Sequence, residues 1–211
     1  MATKKANEAK DIQVSLNIKS ISIPIIGISP LIVSRFDAKS ARQIEENARA
    51  SIGLKQGGKK KNIATPEEDY ESSLYYFADG KRTGFPAGAF KAAMVTAGYR
   101  HYGKAQTILR SAFQVVADDP ETNLVEIHGD HRLRCDMVRV GTINKVASPR
   151  YRAEYPEWSA TITVQFLDGV ISGDEIVGLL NASGFACGIG EWRPEKSNSG
   201  QYGMYKVAST Y

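Results

Sequence analysis

The residues with the clearest binding chemistry lie in a glycine-rich stretch near the C-terminus, residues 184–203. Glycine has no side chain, so its backbone can adopt positive φ angles and come close to a ligand. An indole ring stacks on nucleobases, and arginine and lysine pair with phosphate. Because glycines and Asn-Ser clusters also mark ordinary turns, a plain connection between a helix and a strand stays open. The candidate binding residues here are Gly188, Gly190, Trp192, Arg193 and Lys196.

A second group of candidates lies in a basic and aromatic segment, residues 145–158. Interleaved arginine and tyrosine suit a single nucleic-acid strand, since rings stack on bases and guanidinium groups pair with phosphate. Pro149 and Pro156 argue against a helix in this segment. The alternative is an irregular loop whose aromatic rings pack on the core. The candidates are Lys145, Arg150, Tyr151 and Arg152.

A third segment, residues 54–62, contains four lysines and two glycines. This composition is typical of a solvated, mobile loop. The loop is either a plain part of the surface or an arm that attracts phosphates electrostatically. Its candidates are Lys55, Lys59, Lys60 and Lys61. Four more cations complete the predicted nucleic-acid-binding set, and they are Arg35, Lys91, Arg100 and Lys104.

The three histidines do not form an evident catalytic or metal site. His128 and His131 flank a predicted turn, where they would supply half of a metal site, but no cysteine or further histidine stands nearby. His101 lies on the apolar stripe of a predicted helix, so we expect it to be packed. No Ser-His-Asp arrangement, phosphate loop or metal-ligand spacing is evident. We therefore predict no catalytic residue, no metal and no cofactor.

Composition is that of an ordinary globular domain, with 42% apolar and 24% charged residues in 211. The net charge of +4 permits a polyanionic partner without requiring one. Cys135 and Cys187 do not make a disulfide framework, and we expect both to stay reduced in a cytosol. No apolar run approaches the length of a membrane span. The sequence thus predicts a cytoplasmic protein without a membrane partner, and residues 1–11 are expected to be a flexible basic arm.

Alternating apolar residues predict several strands. The first begins at Ile12, and its apolar positions change parity before Ile21, which predicts a bulge near Lys19. The clearest alternation covers residues 160–166. The remaining predicted strands are residues 31–33, 113–116, 124–127, 133–140 and 204–207.

Helix starts are marked by capping residues. Thr65 with Glu68, and Ser172 with Glu175, have the spacing of capping boxes, in which each side chain bonds to the other's backbone. The helix that begins at Ser172 is expected to end at Gly184. Two other helices are predicted, one over residues 40–52 and one that opens at Pro86.

Without the loops, these elements run strand, helix, strand, strand, helix, strand. This order predicts an α+β domain with a ferredoxin-like (RRM-like) βαββαβ core. Residues 12–211 would form one domain. It would carry an insertion of about 35–84 after the first strand and a second, basic and aromatic insertion over about 141–158.

Three short motifs resemble those of the RAMP superfamily of CRISPR-associated proteins. The run Gly27-Ile28-Ser29-Pro30-Leu31 is similar to the family's first-strand exit. The run from Gly84 through Pro86 to Ala93 is similar to its proline-led entry into the first core helix. The run from Gly188 through Gly200 and Gly203 is similar to its C-terminal glycine-rich loop. Together the motifs span most of the chain.

The resemblance implies a single RAMP-like domain acting as a backbone subunit of a CRISPR-type effector complex. Such a subunit binds single-stranded guide RNA and assembles along it with copies of itself and with other subunits. One alternative is a phage- or plasmid-encoded protein of the same fold that coats single-stranded RNA or DNA. A RAMP-type RNA endonuclease using Asp37 or His101 is another, although Asp37 can equally cap the helix predicted at Ser40. A phage assembly protein without nucleic acid is the third.

Overall fold

The computed structural model of this chain describes residues 17–35, 65–140 and 146–208. Several predictions fall outside these residues. They concern the arm 1–11, the strand residues 12–16, the helix 40–52, the lysine segment 54–62, Asp37 and Lys145.

Ten strands and four helices make up the described residues. The strands are β1 (Ile18–Gly27), β2 (Leu31–Val33), β3 (Tyr75–Tyr76), β4 (Thr83–Pro86), β5 (Phe113–Val116), β6 (Leu124–Glu126), β7 (Arg132–Val140), β8 (Val146–Tyr155), β9 (Ser159–Leu167) and β10 (Tyr205–Val207). The helices are α1 (Pro66–Ser73), α2 (Ala87–Tyr102), α3 (Gln106–Ala112) and α4 (Gly173–Ala186). None of these helices has the length and apolar character to cross a membrane.

The largest sheet has the antiparallel strand order β10-β1-β9-β5. The predicted alternation in β9 is confirmed, since Ile162 and Val164 are fully buried while Thr161 is exposed. Helices α2 and α4 pack against each other. They contribute Phe90 and Leu180 to the hydrophobic core that also holds the β9 side chains.

The first strand differs from its prediction. Pairing of β1 with β9 is unbroken from Ile18 to Ile26, so the bulge predicted near Lys19 is wrong. Since the register is continuous, only one parity faces the core. Ile23 and Ile25 are buried on that face, and Ile18 is exposed on the other.

Both predicted capping boxes are confirmed. In the box that opens α4, the Glu175 backbone N–H donates to the Ser172 hydroxyl at 3.2 Å, and the Ser172 N–H donates to the Glu175 carboxylate at 3.0 Å. These bonds lower the pKa of Glu175, because the backbone N–H of Ser172 stabilises its charged form. Thr65 and Glu68 form the same pair at the start of α1.

Replacing Ser172 by alanine should lower the free energy of unfolding by about 1 kcal/mol, since one N–H at the helix start loses its partner. Urea unfolding followed by circular dichroism measures the change. Ser172→Thr keeps a hydroxyl acceptor and is the matched control, so we expect a smaller loss. Equal losses in the two variants would contradict the capping role.

Three details of the helices correct the sequence analysis. Helix α4 does not end at Gly184 but continues to Ala186, because Gly184 is a packing position: a Cβ there would collide with the Tyr205 backbone. Helix α3 was not predicted. His101 is exposed in the last turn of α2 and is not packed, because residues 99–102 of the helix are all exposed to solvent.

The second sheet has the order β2-β8-β7. Its β8 strand occupies residues 146–155, so the alternative of an irregular loop is wrong there. The insertion over about 141–158 stays a prediction. Pro149 is tolerated because β2 pairs only with the last residues of β8, Ala153–Tyr155, which leaves β8 an edge strand around Pro149. The third sheet, β3-β4-β6, shares the hydrophobic core with the other two through Phe85 and Val125.

Candidate nucleic-acid interface

The glycine-rich loop, residues 187–204, is held by the protein's own backbone. Gly203 N–H donates to the Pro30 carbonyl at 2.8 Å, and Glu191 N–H donates to the Ile32 carbonyl at 2.9 Å. Gly190 has a φ of 77°, and a Cβ there would lie 2.5 Å from the Ile32 carbonyl oxygen. The predicted reason for these glycines was close approach to a ligand. In the structure Gly190 lets the loop pack against β2, and close approach to a ligand stays a prediction.

Gly188 also combines a positive φ angle with close neighbours inside the loop. Its φ is 64°, and a Cβ would lie 3.1 Å from both the Gly203 carbonyl oxygen and Pro194. Gly188 N–H donates to Ser183 at the end of α4. The two predicted glycines therefore shape the loop, and side chains around it must provide most contacts to a ligand.

Trp192 lies where the loop meets the β7–β8 hairpin. The Arg152 guanidinium carbon is 4.7 Å from the centre of the Trp192 ring, and that of Arg134 is 5.7 Å away. Arg134 also lies 4.9 Å from the Tyr202 ring, which is 5.9 Å from Trp192. Such cation–π contacts each contribute about 0.5–2 kcal/mol. We call Arg134, Arg152, Trp192 and Tyr202 the arginine–aromatic cluster.

Carboxylates hold these arginines in place. Arg134 donates to Asp136 at 2.9 Å and to Glu154, and these bonds raise its pKa, with Asp136 the largest cause. Arg152 contacts Asp136 at 3.3 Å and Glu191 at 3.6 Å. The hairpin residues share one face of the sheet, because side chains at i and i+2 point the same way and Arg134 pairs directly with Arg152. Hairpin and loop are thereby fixed to each other.

Two predicted phosphate ligands face inward. Arg152 is 8% exposed beneath Trp192. Arg193 donates to the Gly190 carbonyl at 3.0 Å and to Glu195 at 3.3 Å, so it braces the loop. Lys196, in the same loop, is exposed. Exposed cations near the cluster, such as Lys196, are thus better placed than Arg152 for direct contact with phosphate.

A cavity of about 200 Å³ lies between the glycine-rich loop and the first turns of α2. Its walls are apolar where Phe85, Ala92 and Ile189 contribute, and its polar groups include the side chains of Glu191 and Arg193. Burial raises the pKa of the Tyr75 hydroxyl, which also lines the cavity. Smaller effects on this pKa come from Arg35, which lowers it, and Glu191, which raises it. Arg35 is exposed two residues after β2, the strand against which the loop packs.

The other predicted residues on the hairpin lie on both of its faces. Arg150 is exposed and pairs across the strands with Asp136, on the face of the arginine–aromatic cluster. Tyr151 points to the opposite face, and its pKa is raised first by the neighbouring Cys135 and also by the acidic first turn of α1. Arg150 and Arg152 therefore share the hairpin face that carries the cluster, and Arg152 contacts the glycine-rich loop, whereas Tyr151 lies on the other face.

Two of the predicted helix cations have partners on other elements. Lys91 is half-buried and donates to the Arg110 carbonyl and to Gln114, and burial lowers its pKa. It therefore links α2 to the region of α3 and β5, while Lys104 pairs with Glu175 at 3.2 Å. Arg100 is exposed near the C-terminal end of α2. Burial raises the pKa of the Cys187 thiol at the start of the loop, and Arg100 has a smaller, opposite effect on it.

The histidine pair has separate surroundings. His131 hydrogen-bonds through Nδ1 to the Tyr70 hydroxyl, while His128 is exposed with its Nδ1 3.7 Å from Glu126. Within residues 17–35, 65–140 and 146–208, no three His, Cys, Asp or Glu side chains group as a metal site.

Sequence reasoning missed the residues that organise this surface, Arg134, Asp136, Glu154, Glu191 and Tyr202. A signal for part of the set was present. Arg132, Arg134 and Asp136 alternate with Leu133 and Cys135, which marks one charged strand face. The alternation did not reveal the partner strand, since no strand was predicted for residues 146–155.

No family model matches this chain, and no curated protein matches it by sequence. Similar solved structures include Cmr6 from Pyrococcus furiosus, with 10% identity over 91% of this chain and 98% of that chain, and a TM-score of 0.41. A second is a chain of the Type III-B Cmr-beta bound to cognate target RNA, with 8% identity and a TM-score of 0.48. That alignment covers 91% of this chain, which spans 59% of the other. At these values neither likeness establishes a shared fold or function.

Proposed function

We propose that this protein binds single-stranded nucleic acid, with RNA as the first candidate, along the glycine-rich loop and the β7–β8 hairpin. The observation that carries the proposal is the arginine–aromatic cluster at their junction. Trp192 and Tyr202 are half-buried there and held by two arginines. Rings fixed in this way offer stacking platforms for bases at low entropic cost, and base stacking contributes about 1–3 kcal/mol per base.

The cations around the cluster supply the second half of such a site. Arg35, Arg150 and Lys196 are exposed on the loop and hairpin side of the molecule. Exposed arginine and lysine bind phosphates and release counterions. The predicted lysines outside the described residues belong to the proposal as additional electrostatic contacts, and they are Lys55, Lys59, Lys60, Lys61 and Lys145.

The topology supports assignment of a ferredoxin-like core. The elements β1, α2, β5, β9, α4 and β10 follow one another as strand, helix, strand, strand, helix, strand. Their sheet order, β10-β1-β9-β5, places the fourth strand beside the first and the third between the first and second. We propose that this is the βαββαβ core, and that the second sheet, with its hairpin, is attached to it within a single domain.

We further propose that the protein acts as a backbone subunit of a CRISPR-type effector complex. The motif resemblance to RAMP proteins supports this role, which implies contacts with copies of the chain and with other subunits. Exposed apolar side chains on the outer hairpin face also support it, since Met137 is 68% and Leu133 is 39% exposed. In this role the protein binds RNA without cleaving it, and light scattering with RNA should detect an assembly larger than a monomer.

The salt dependence of binding tests the proposed interface. Arg150→Ala and Lys196→Ala should each weaken binding to mixed-sequence RNA and lower the slope of log affinity against log salt by about one, as one phosphate contact is lost. Fluorescence anisotropy over a salt series measures this slope. Lys81→Ala, in the exposed turn before β4, is the matched control and should leave the slope unchanged. An unchanged slope in both interface variants would show that the strand binds elsewhere.

A further inference from the structure

The cavity beside the glycine-rich loop has the dimensions of a pocket for one ring system. Its volume of about 200 Å³ is below the roughly 300–1,000 Å³ typical of pockets for drug-sized ligands, so it is too small for a length of strand. Two aromatic rings stand at one wall, where Tyr75 and Phe85 lie edge to face with centres 5.6 Å apart. Small side chains, Ala89, Ala92 and Ala93, form the α2 side. Aromatic and small apolar side chains of this kind suit the faces of a planar ring.

The polar groups of the cavity are unusual for a surface that binds phosphate. Two of them are carboxylates, Glu191 and Glu195, which repel phosphate and accept hydrogen bonds. Glu191 is the less constrained, because its side chain is 45% exposed and its ion pair with Arg152 is long, at 3.6 Å. Arg193 lies between them in sequence and uses Nη1 and Nε for bonds within the loop. Arginine has five N–H donors, so others are left for a ligand.

We propose that this cavity binds one flipped-out guanine of the bound strand. Enzymes and binding proteins recognise a flipped base through its Watson–Crick edge and by packing its faces against aromatic or apolar side chains. On guanine this edge presents two adjacent N–H donors, N1–H and N2–H, beside the O6 acceptor. The Glu191 carboxylate accepts from the two donors, and the Arg193 guanidinium donates to O6. The inference rests on the proposed function, since it needs a strand at the loop.

Uracil is rejected by the same groups. Its edge has a single N–H between two carbonyl acceptors, so a carboxylate that meets the N–H also meets two repelling oxygens. If Glu191 only repelled phosphates, it would weaken binding to every sequence equally, and removing its charge would strengthen binding to every sequence. If Glu191 binds guanine, removing its charge should weaken binding to guanosine strands. The change in guanosine affinity therefore has opposite signs for the two roles.

The test compares RNA oligonucleotides of equal length by fluorescence anisotropy. One contains only uridine, one has guanosine at several positions, and one has inosine at those positions, which lacks the 2-amino group. The wild-type protein should bind the guanosine strand about tenfold more tightly than the uridine strand, with inosine in between. Glu191→Gln should bring the ratio of guanosine to uridine affinity close to one. Glu157→Gln, which removes an exposed carboxylate elsewhere, should keep the preference.

A second variant does not depend on charge. Ala92→Phe fills the cavity from the exposed side of α2, and it should remove the guanosine preference while the melting temperature and uridine binding stay close to wild type. Equal binding of uridine and guanosine strands by the wild type would overturn the base pocket and leave the proposed function standing. A gain in affinity for both strands in Glu191→Gln would also overturn it. Absence of binding to all three strands would overturn the proposed function itself.

Discussion

Gly203→Ala is expected to destabilise the protein by about 3 kcal/mol or more. Gly203 has a φ of 63°, and a Cβ there would overlap the Ile189 carbonyl oxygen. A non-glycine residue in the left-handed region costs about 1–3 kcal/mol by itself, and the overlap adds a displacement of the loop from β1 and β2. Because that displacement also moves Trp192 and Tyr202, RNA affinity should fall in the protein that remains folded.

Gly80 provides the control for this substitution. Its φ of 67° is nearly the same, but nothing lies within 4 Å of a Cβ built there. Gly80→Ala therefore measures the backbone term alone, which we expect to be about 1–2 kcal/mol. Thermal and urea unfolding of both variants give the difference. Equal losses would show that the packing of Gly203 against Ile189 contributes nothing.

Arg134→Ala should have the second large effect, a loss of about 3–5 kcal/mol in the free energy of unfolding. Glu154 is 3% exposed, and Arg134 is the partner that satisfies it from within the cluster. Breaking a buried ion pair is strongly destabilising. Glu154 keeps Arg132 on its other oxygen, so the expected loss comes from the Oε1 bond together with the bonds of Arg134 to Asp136 and Tyr202. Arg134 also packs on Tyr202, so the stacking platform loosens and RNA affinity falls as well.

Arg132 makes the matched comparison, since it pairs with the same carboxylate at 2.9 Å but its own side chain is 68% exposed. Exposed ion pairs contribute at most about 1 kcal/mol, so Arg132→Ala should be close to neutral. Chemical unfolding of the two variants decides between the positions. If both lose equal stability, the burial of Arg134 is not what makes it important.

Local signals in the sequence were sufficient for part of the fold. The capping boxes at Thr65 and Ser172 needed only neighbours three residues away, and both helices begin where they were predicted. The alternation of residues 160–166 depends on one buried face, so β9 was also predicted correctly. These elements succeed because their determinants lie within one turn or one strand.

Strand β8 was not predicted, because the prolines of its segment were weighed only against a helix. Pro149 excludes a central strand but not an edge, and only the pairing shows that β8 has β7 alone beside it there. Similarly, the sequence shows that one face of β7 is charged, but only the strand register shows that Arg134 lies opposite Arg152. Local patterns carry no information about such partners.

The position of the glycine-rich loop in the chain was predicted, and the contacts that its residues make were not. Glycines, Trp192 and Arg193 were correctly placed in a loop between a helix and a strand. Their contacts depend on residues far away in sequence, such as Ile32, whose carbonyl faces Gly190. The carboxylates of the cavity were missed because glutamate in a basic loop resembles ordinary surface charge.

The sheet order has a consequence for how the chain is made. Strand β1 lies near the N-terminus, yet both of its neighbours, β9 and β10, come from residues 159–207. During synthesis β1 therefore has no pairing strand until almost the whole chain has left the ribosome. Folding that depends on such distant contacts is slow, and an unpaired apolar strand is prone to associate with other chains. We therefore expect high-level production to require chaperones or low temperature, and truncation before β9 to yield aggregated chains.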